Sequence, residues 1–166
     1  MKKCVFAGSF DPPTVGHKRV VEESLEIFDC VTVALLVNTA KAGMFTKEER
    51  LDLLNELFAK NPRVKVIEFD GAAVDLLKRE GTKFYVRGVR DGIDVEYENR
   101  NAYASEKLMP EMINVYLPAR QSEMHISSSL VRNSIIFGKD YADYIPSEIA
   151  ESVKKLTEKK NVRKTD

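Results

Sequence analysis

KCVFAGSFDPPTVGH, residues 3–17, decides the fold. The apolar run KCVFA (3–7) reads as a strand. GSFDPPTVGH (8–17) is too irregular to continue it, and residues 16–28 then read as a helix with Val20, Val21, Leu25 and Phe28 on one face. VTVALLV (31–37) follows, apolar everywhere except Thr32, the pattern of a strand covered on both faces. A strand, a helix and a second strand in immediate succession begin a parallel sheet.

The alternation continues to the end of the chain. TKEERLDLLNELFAK (46–60) reads as an amphipathic helix opened by a capping box, with Thr46 as the cap and Glu49 three residues on. VKVIEF (64–69) is a third strand, 72–80 a short helix, KFYVR (83–87) a fourth strand, 94–108 a polar helix and INVYLPA (113–119) a fifth strand. SSSLVRNSIIF (127–137) and PSEIAESVKKLTEKK (146–160) are further helices. The expectation is an α/β fold: a Rossmann-like, open five-stranded parallel sheet with helices on both faces, in one domain over 1–160. Residues 161–166 are expected to be a frayed tail.

Composition narrows the function. The chain has 166 residues, enough for one domain with a sizeable core. Lys plus Arg and Asp plus Glu number 26 each, so the formal net charge is zero. That balance argues against a nucleic-acid binder or a membrane-surface protein. The apolar run 31–37 is too short to span a bilayer, and MKKCVFAG lacks the apolar length of a signal peptide, so a cytoplasmic location is expected. Cys4 and Cys30 sit in or beside strand runs and read as reduced, buried thiols. No His or Cys cluster has metal-ligand spacing.

In an open parallel sheet, ligands bind beyond the carboxyl ends of the strands. The loops that leave the strands therefore carry the chemistry. After the first strand come Gly8, Ser9, Thr14 and Gly16, then His17 in the first turn of a helix, where free N–H groups favour an anion. Lys41 follows the second strand. Arg87 and Arg90 flank Gly88 after the fourth, two guanidinium forks suited to phosphate. Ser127, Ser128 and Ser129 open a helix that carries Arg132 one turn on. Walker, dinucleotide GxGxxG and GxSxG patterns are all absent. The rim suits a ligand bearing several phosphates.

GSFDPPTVGH, FTKEER, RGVR followed by EYE, and ISSSLVR together resemble the motifs of the bacterial phosphopantetheine adenylyltransferases. Those enzymes are nucleotidyltransferases with TxGH in place of HxGH, here Thr14 to His17. The matches run in order from residue 4 to about residue 132. The resemblance implies adenylyl transfer from ATP to 4'-phosphopantetheine in coenzyme A synthesis, giving dephospho-coenzyme A and pyrophosphate. It implies that His17, Lys41 and Arg90 act in catalysis. It assigns Ser9, Lys41, Ala73 and Arg87 to phosphopantetheine. It assigns Ser9, Phe10, His17, Gly88, Val89, Arg90, Glu98, Glu123, Met124, His125, Ile126, Ser127, Ser128 and Ser129 to ATP. It further implies Mg²⁺ with no assigned protein ligands, a homohexamer, and coenzyme A as feedback inhibitor. Read from the residues alone, a nucleotidyltransferase for another phosphorylated acceptor such as nicotinamide mononucleotide stays open, as does a non-catalytic nucleotide sensor.

Overall fold

Alternating side chains of the first strand divide between two cores, and this division organises the molecule. The computed structural model describes residues 1–36 and 43–162. Strand β1 (Lys3–Gly8) sends Cys4 and Phe6 to one face and Val5 and Ala7 to the other, and all four are buried. The next strand, β2 (Cys30–Leu36), does the same with Val31, Val33 and Leu35 on one face and Ala34 on the other. Both faces are therefore covered, as the near-continuous apolar runs require.

The remaining strands are β3 (Val64–Phe69), β4 (Phe84–Val89) and β5 (Ile113–Pro118). All pairings are parallel, in the order β3-β2-β1-β4-β5. The helices are α1 (Val15–Ile27), α2 (Lys47–Phe58), α3 (Ala73–Glu80), α4 (Gly92–Glu106), α5 (Ser128–Ile136) and α6 (Ala150–Val162). The larger core takes Val20, Val21 and Leu25 of α1, Leu53, Leu54 and Leu57 of α2, Val131 of α5 and Val153 of α6. Val74, Leu76 and Leu77 of α3 cover the opposite face, joined by Met109 after α4.

Several boundaries differ from the sequence expectation for local reasons. β4 runs on to Val89, so Arg87 and Gly88 lie within the strand, paired with Tyr116 and Leu117 of β5. α4 begins at Gly92 because the Asp91 carboxylate accepts the Asp94 N–H at 2.9 Å and fixes the helix start there. Pro146 is followed by a 3-10 turn, Ser147–Ile149, before α6, which continues through Val162. The helix thus passes the expected tail boundary, and the rest of the tail lies outside the described residues. The capping box of α2 forms as expected, with Glu49 N–H donating to Thr46 Oγ1 at 3.1 Å and Thr46 N–H donating to Glu49 at 2.8 Å.

The strand order places the site. From β1 the chain builds outward through β2 to β3, then returns to the other side of β1 with β4. The switch point of the sheet is therefore the β1–β4 seam, where open α/β sheets bind ligands.

Candidate active site

β1 and β4 pair only at Val5–Tyr85 and Phe6–Val86. Their outer neighbours, β2 and β5, stay paired to them right to the strand ends. Beyond Phe6 the two central strands separate, and the gap between Ala7–Gly8 and Arg87–Val89 opens a cleft of about 500 Å³. Its lining adds Gly16, His17, Arg19 and Val20 of α1, Asp94 and Glu98 of α4, and Glu123 with Ile126 to Ser129 at the mouth of α5. Gly88 makes the geometry possible, since a Cβ there would stand 2.8 Å from Val20 Cγ2, closer than side-chain atoms pack. Only glycine lets α1 lie this close to the end of β4.

His17 is fixed by its own helix start. It occupies the third position of α1, and its Nδ1 accepts the Thr14 backbone N–H at 3.0 Å while standing 3.0 Å from the Thr14 hydroxyl. The ring also rests edge-on against Phe10, with centroids 5.0 Å apart. Phe10 is buried at a backbone φ of +44°, and its ring lies close under Gly8, where a Cβ would come within 3.3 Å. Because Nδ1 is an acceptor, the imidazole carries its proton on Nε2. Burial, then the positive charge of Arg90, push the His17 pKa down to about 4. The ring is a neutral Nε2–H donor at physiological pH.

The two arginines of β4 are held by carboxylates of α4. Arg87 forms an ion pair with Glu98 and donates to the Tyr85 hydroxyl at 3.0 Å. Arg90 grips Asp94 with two side-chain hydrogen bonds, at 2.9 and 3.2 Å. Those bonds hold the Asp94 pKa below the usual carboxylate range. Both arginines line the cleft, so an incoming phosphate meets oriented guanidinium groups and must exchange places with carboxylates to engage them fully.

The serine cluster is knitted to the β1 loop. Ser127 caps α5 by accepting the Leu130 N–H at 3.1 Å, Ser128 donates to the Pro12 carbonyl at 2.8 Å, and Ser129 accepts from Arg132 at 3.0 Å. Arg132 also donates to the Asp11 carbonyl at 2.7 Å, so it braces the loop rather than lining the cleft. The Asp11 carboxylate accepts the Met44 and Phe45 N–H groups at 2.9 and 2.8 Å, and Arg50 donates to the Ser9 carbonyl at 2.9 Å. The amino ends of α1 and α5 are thereby held together at the same cleft, and both offer free N–H groups to an anion.

Of the residues assigned by resemblance, Ser9, His17, Arg87, Gly88, Val89, Arg90, Glu98, Glu123, Ile126, Ser127, Ser128 and Ser129 meet in the cleft. Four lie off its lining. Phe10 supports His17 from the core, and Ala73 packs at the start of α3 against the smaller core. Met124 points to solvent, and His125 stands edge-on to Tyr144. Lys41 lies outside the described residues. The lining also includes Arg19, Leu36, Leu117 and Ala119, which loop reading passed over, and Asp94, which the sequence offers as a carboxylate partner for the neighbouring arginines and which pairs with Arg90. Arg19 had a signal: it stands three residues after Gly16, on the same helical face. Among the described residues, no three His, Cys, Asp or Glu side chains are grouped as metal ligands. The cleft carboxylates Asp94, Glu98 and Glu123 are each bound to an arginine, which does not fit a preformed magnesium site.

Residues 5–134 match the Cytidylyltransferase-like family. The phosphopantetheine adenylyltransferase of Lachnoclostridium phytofermentans is 37% identical over 153 residues, covering 92% of this chain and 94% of that protein. The protein of the same name from Flavobacterium psychrophilum is 37% identical over 149 residues, 90% of this chain and 98% of its own. That from Campylobacter fetus subsp. fetus is 38% identical over 153 residues, 92% and 96% respectively.

Proposed function

The chain belongs to the cytidylyltransferase-like family and to the phosphopantetheine adenylyltransferases within reach of these identities, and from that premise we propose that it transfers the adenylyl group of ATP to 4'-phosphopantetheine, releasing pyrophosphate. One observation carries the reading. Two helix amino ends and two arginines converge on a switch-point cleft whose histidine has its Nδ1 engaged by the Thr14 N–H and offers Nε2–H as a donor, so the site is suited to hold polyphosphate.

The chemistry follows. An oxygen of the acceptor phosphate attacks the α-phosphorus of ATP in line with the departing pyrophosphate. No general base is needed, because a phosphate monoester with a second pKa of about 6 is mostly dianionic at neutral pH. The obstacle is the approach of two polyanions. Arg87, with Lys41, anchors the acceptor phosphate; Arg90 and the α5 amino end hold the triphosphate. His17 donates Nε2–H to a non-bridging α-phosphate oxygen, a bond that strengthens as charge accumulates there. Mg²⁺ would come with ATP and would offset part of the charge on its phosphates.

The same reading includes a cytoplasmic homohexamer restrained by coenzyme A. The exposed Ile136 and Phe137 at the end of α5 offer apolar surface for such an assembly. Among the described residues no helix is long and apolar enough to cross a membrane.

Pyrophosphate release tests the reaction. The protein receives Mg·ATP with 4'-phosphopantetheine, dephosphorylated pantetheine or nicotinamide mononucleotide. Turnover with the first alone is expected. Turnover with nicotinamide mononucleotide, or with pantetheine lacking its phosphate, would refute the assignment.

A further inference from the structure

Gly16, Arg19, Val20 and Glu23 follow one another on the same face of α1, and the first three line the cleft. Arg19 is only 8% exposed. Its Nε stands 2.6 Å from Glu123 Oε2, and its Nη1 stands 3.6 Å from Glu23. Glu123 closes the 3-10 turn Gln121–Glu123 between β5 and α5 and lines the cleft from the other side. A buried guanidinium without its partner is strongly destabilising, so Arg19 fixes where the Glu123 carboxylate sits. Oε2 is buried, and since neither it nor Arg19 Nε and Nη1 makes a hydrogen bond, the contact that holds the carboxylate is an ion pair. Among the described residues Oε1 has no protein donor, and the Glu123 side chain remains about a quarter exposed.

Charge then orders the cleft. At the helix mouths stand His17, Ser127 to Ser129 and Arg90, with free N–H groups and positive charge. One turn further along α1, the Arg19, Glu23 and Glu123 cluster sums to one negative charge, from one cation and two carboxylates, with Arg19 and Glu123 lining the cleft. Polyphosphate is drawn to the first region and repelled from the second. An uncharged base is the part of a nucleotide that the second region accepts, and a carboxylate oxygen there accepts hydrogen bonds but donates none.

We propose that Arg19 is a positioning residue that holds Glu123 as acceptor for the exocyclic amino group of the nucleotide base, so that the pair selects ATP over nucleotides with an oxo group at that position. The proposal rests on ATP being the substrate. A 6-amino group donates to Oε1; the 6-oxo group of inosine turns a lone pair toward it.

The experiment is titration calorimetry of ATP and inosine triphosphate without acceptor, together with steady-state turnover of ATP and 4'-phosphopantetheine. Wild-type protein should bind ATP more tightly than inosine triphosphate. Glu123→Gln should weaken ATP by about tenfold, the scale of one charge-assisted hydrogen bond, and leave inosine triphosphate within about twofold. A glutamine amide can turn to donate or accept, so discrimination collapses. Arg19→Met should act in the same direction, and Arg19→Lys should recover part of the loss. The acceptor KM should stay within about twofold in all three. An unchanged ATP-to-inosine-triphosphate ratio in Glu123→Gln would overturn the proposal even if Arg19→Met failed to fold. So would an equal loss of both nucleotides in Arg19→Met, which marks a merely structural role. Wild-type protein that prefers ATP yet turns over no phosphopantetheine would defeat the proposed reaction and support the base-selecting pair.

Discussion

Replacing His17 by alanine separates catalysis from architecture, because the structure gives the imidazole two jobs. Nε2–H faces the cleft as a donor; Nδ1 accepts the Thr14 N–H at 3.0 Å. Losing a donor aimed at developing transition-state charge costs ~10²–10³ in kcat, about 3–4 kcal/mol. Losing the Nδ1 acceptor leaves a buried backbone N–H without its partner, a helix-cap loss of about 1 kcal/mol. Losing the edge contact with Phe10 at 5.0 Å removes about another 0.5–1 kcal/mol. His17→Ala should therefore be both slow and less stable by roughly 2 kcal/mol, a fall in Tm of about 4–8 °C for a domain of this size. ATP affinity should change much less than kcat, since the donor acts mainly in the transition state. The assay pairs pyrophosphate release at saturating substrates with thermal unfolding of the same preparation. A variant that loses 2 kcal/mol of stability yet keeps wild-type kcat in its folded fraction would refute the catalytic role.

The remaining predictions concern pH and packing. With His17 at about 4 when folded and about 6.5 when unfolded, the unfolded chain binds the extra proton between those values, so stability falls as pH drops from 6.5 to 4. The loss due to His17 is at most about 3 kcal/mol, and denaturant unfolding of wild type against His17→Ala should show that difference shrinking across the window. Turnover should fall off near pH 6, where the acceptor phosphate gains a proton, with no limb from His17 until about pH 4; pH–rate profiles of kcat/KM for the acceptor check this. Gly88→Ala drives a Cβ into Val20 Cγ2 and should cost about 1–3 kcal/mol in chemical denaturation, partly recovered by Val20→Ala in the same chain. Arg87→Ala should raise the acceptor KM by about tenfold or more while calorimetry finds ATP binding nearly intact.

The fold was legible in the sequence because each βαβ unit announces itself locally. β3 spans 64–69 in both readings, and the Thr46–Glu49 capping box sits where its residues suggest. The strand order was not legible. Nothing local says that β4 returns to the far side of β1 or that the two part after Phe6, yet that parting is what opens the cleft. The loop residues His17, Arg87, Arg90 and Ser127 to Ser129 were found because phosphate chemistry needs particular residue types at strand ends and helix mouths. Arg19 escaped that reading, and Glu123 entered only through the family resemblance, without its partner. The two are more than a hundred positions apart in the chain, and only the assembled fold brings them within 2.6 Å. The pairing of Arg87 with Glu98 was hidden for the same kind of reason, because it depends on how α4 folds back over the end of β4.

The central claim is direct in-line transfer to the acceptor phosphate without a covalent enzyme intermediate. It is tested most directly by the configuration at the α-phosphorus. ATP made chiral there with sulfur is turned over with 4'-phosphopantetheine, and the dephospho-coenzyme A analogue is examined. One in-line displacement predicts inversion. Retention would require two displacements, and with them a nucleophile on the protein, which contradicts direct transfer.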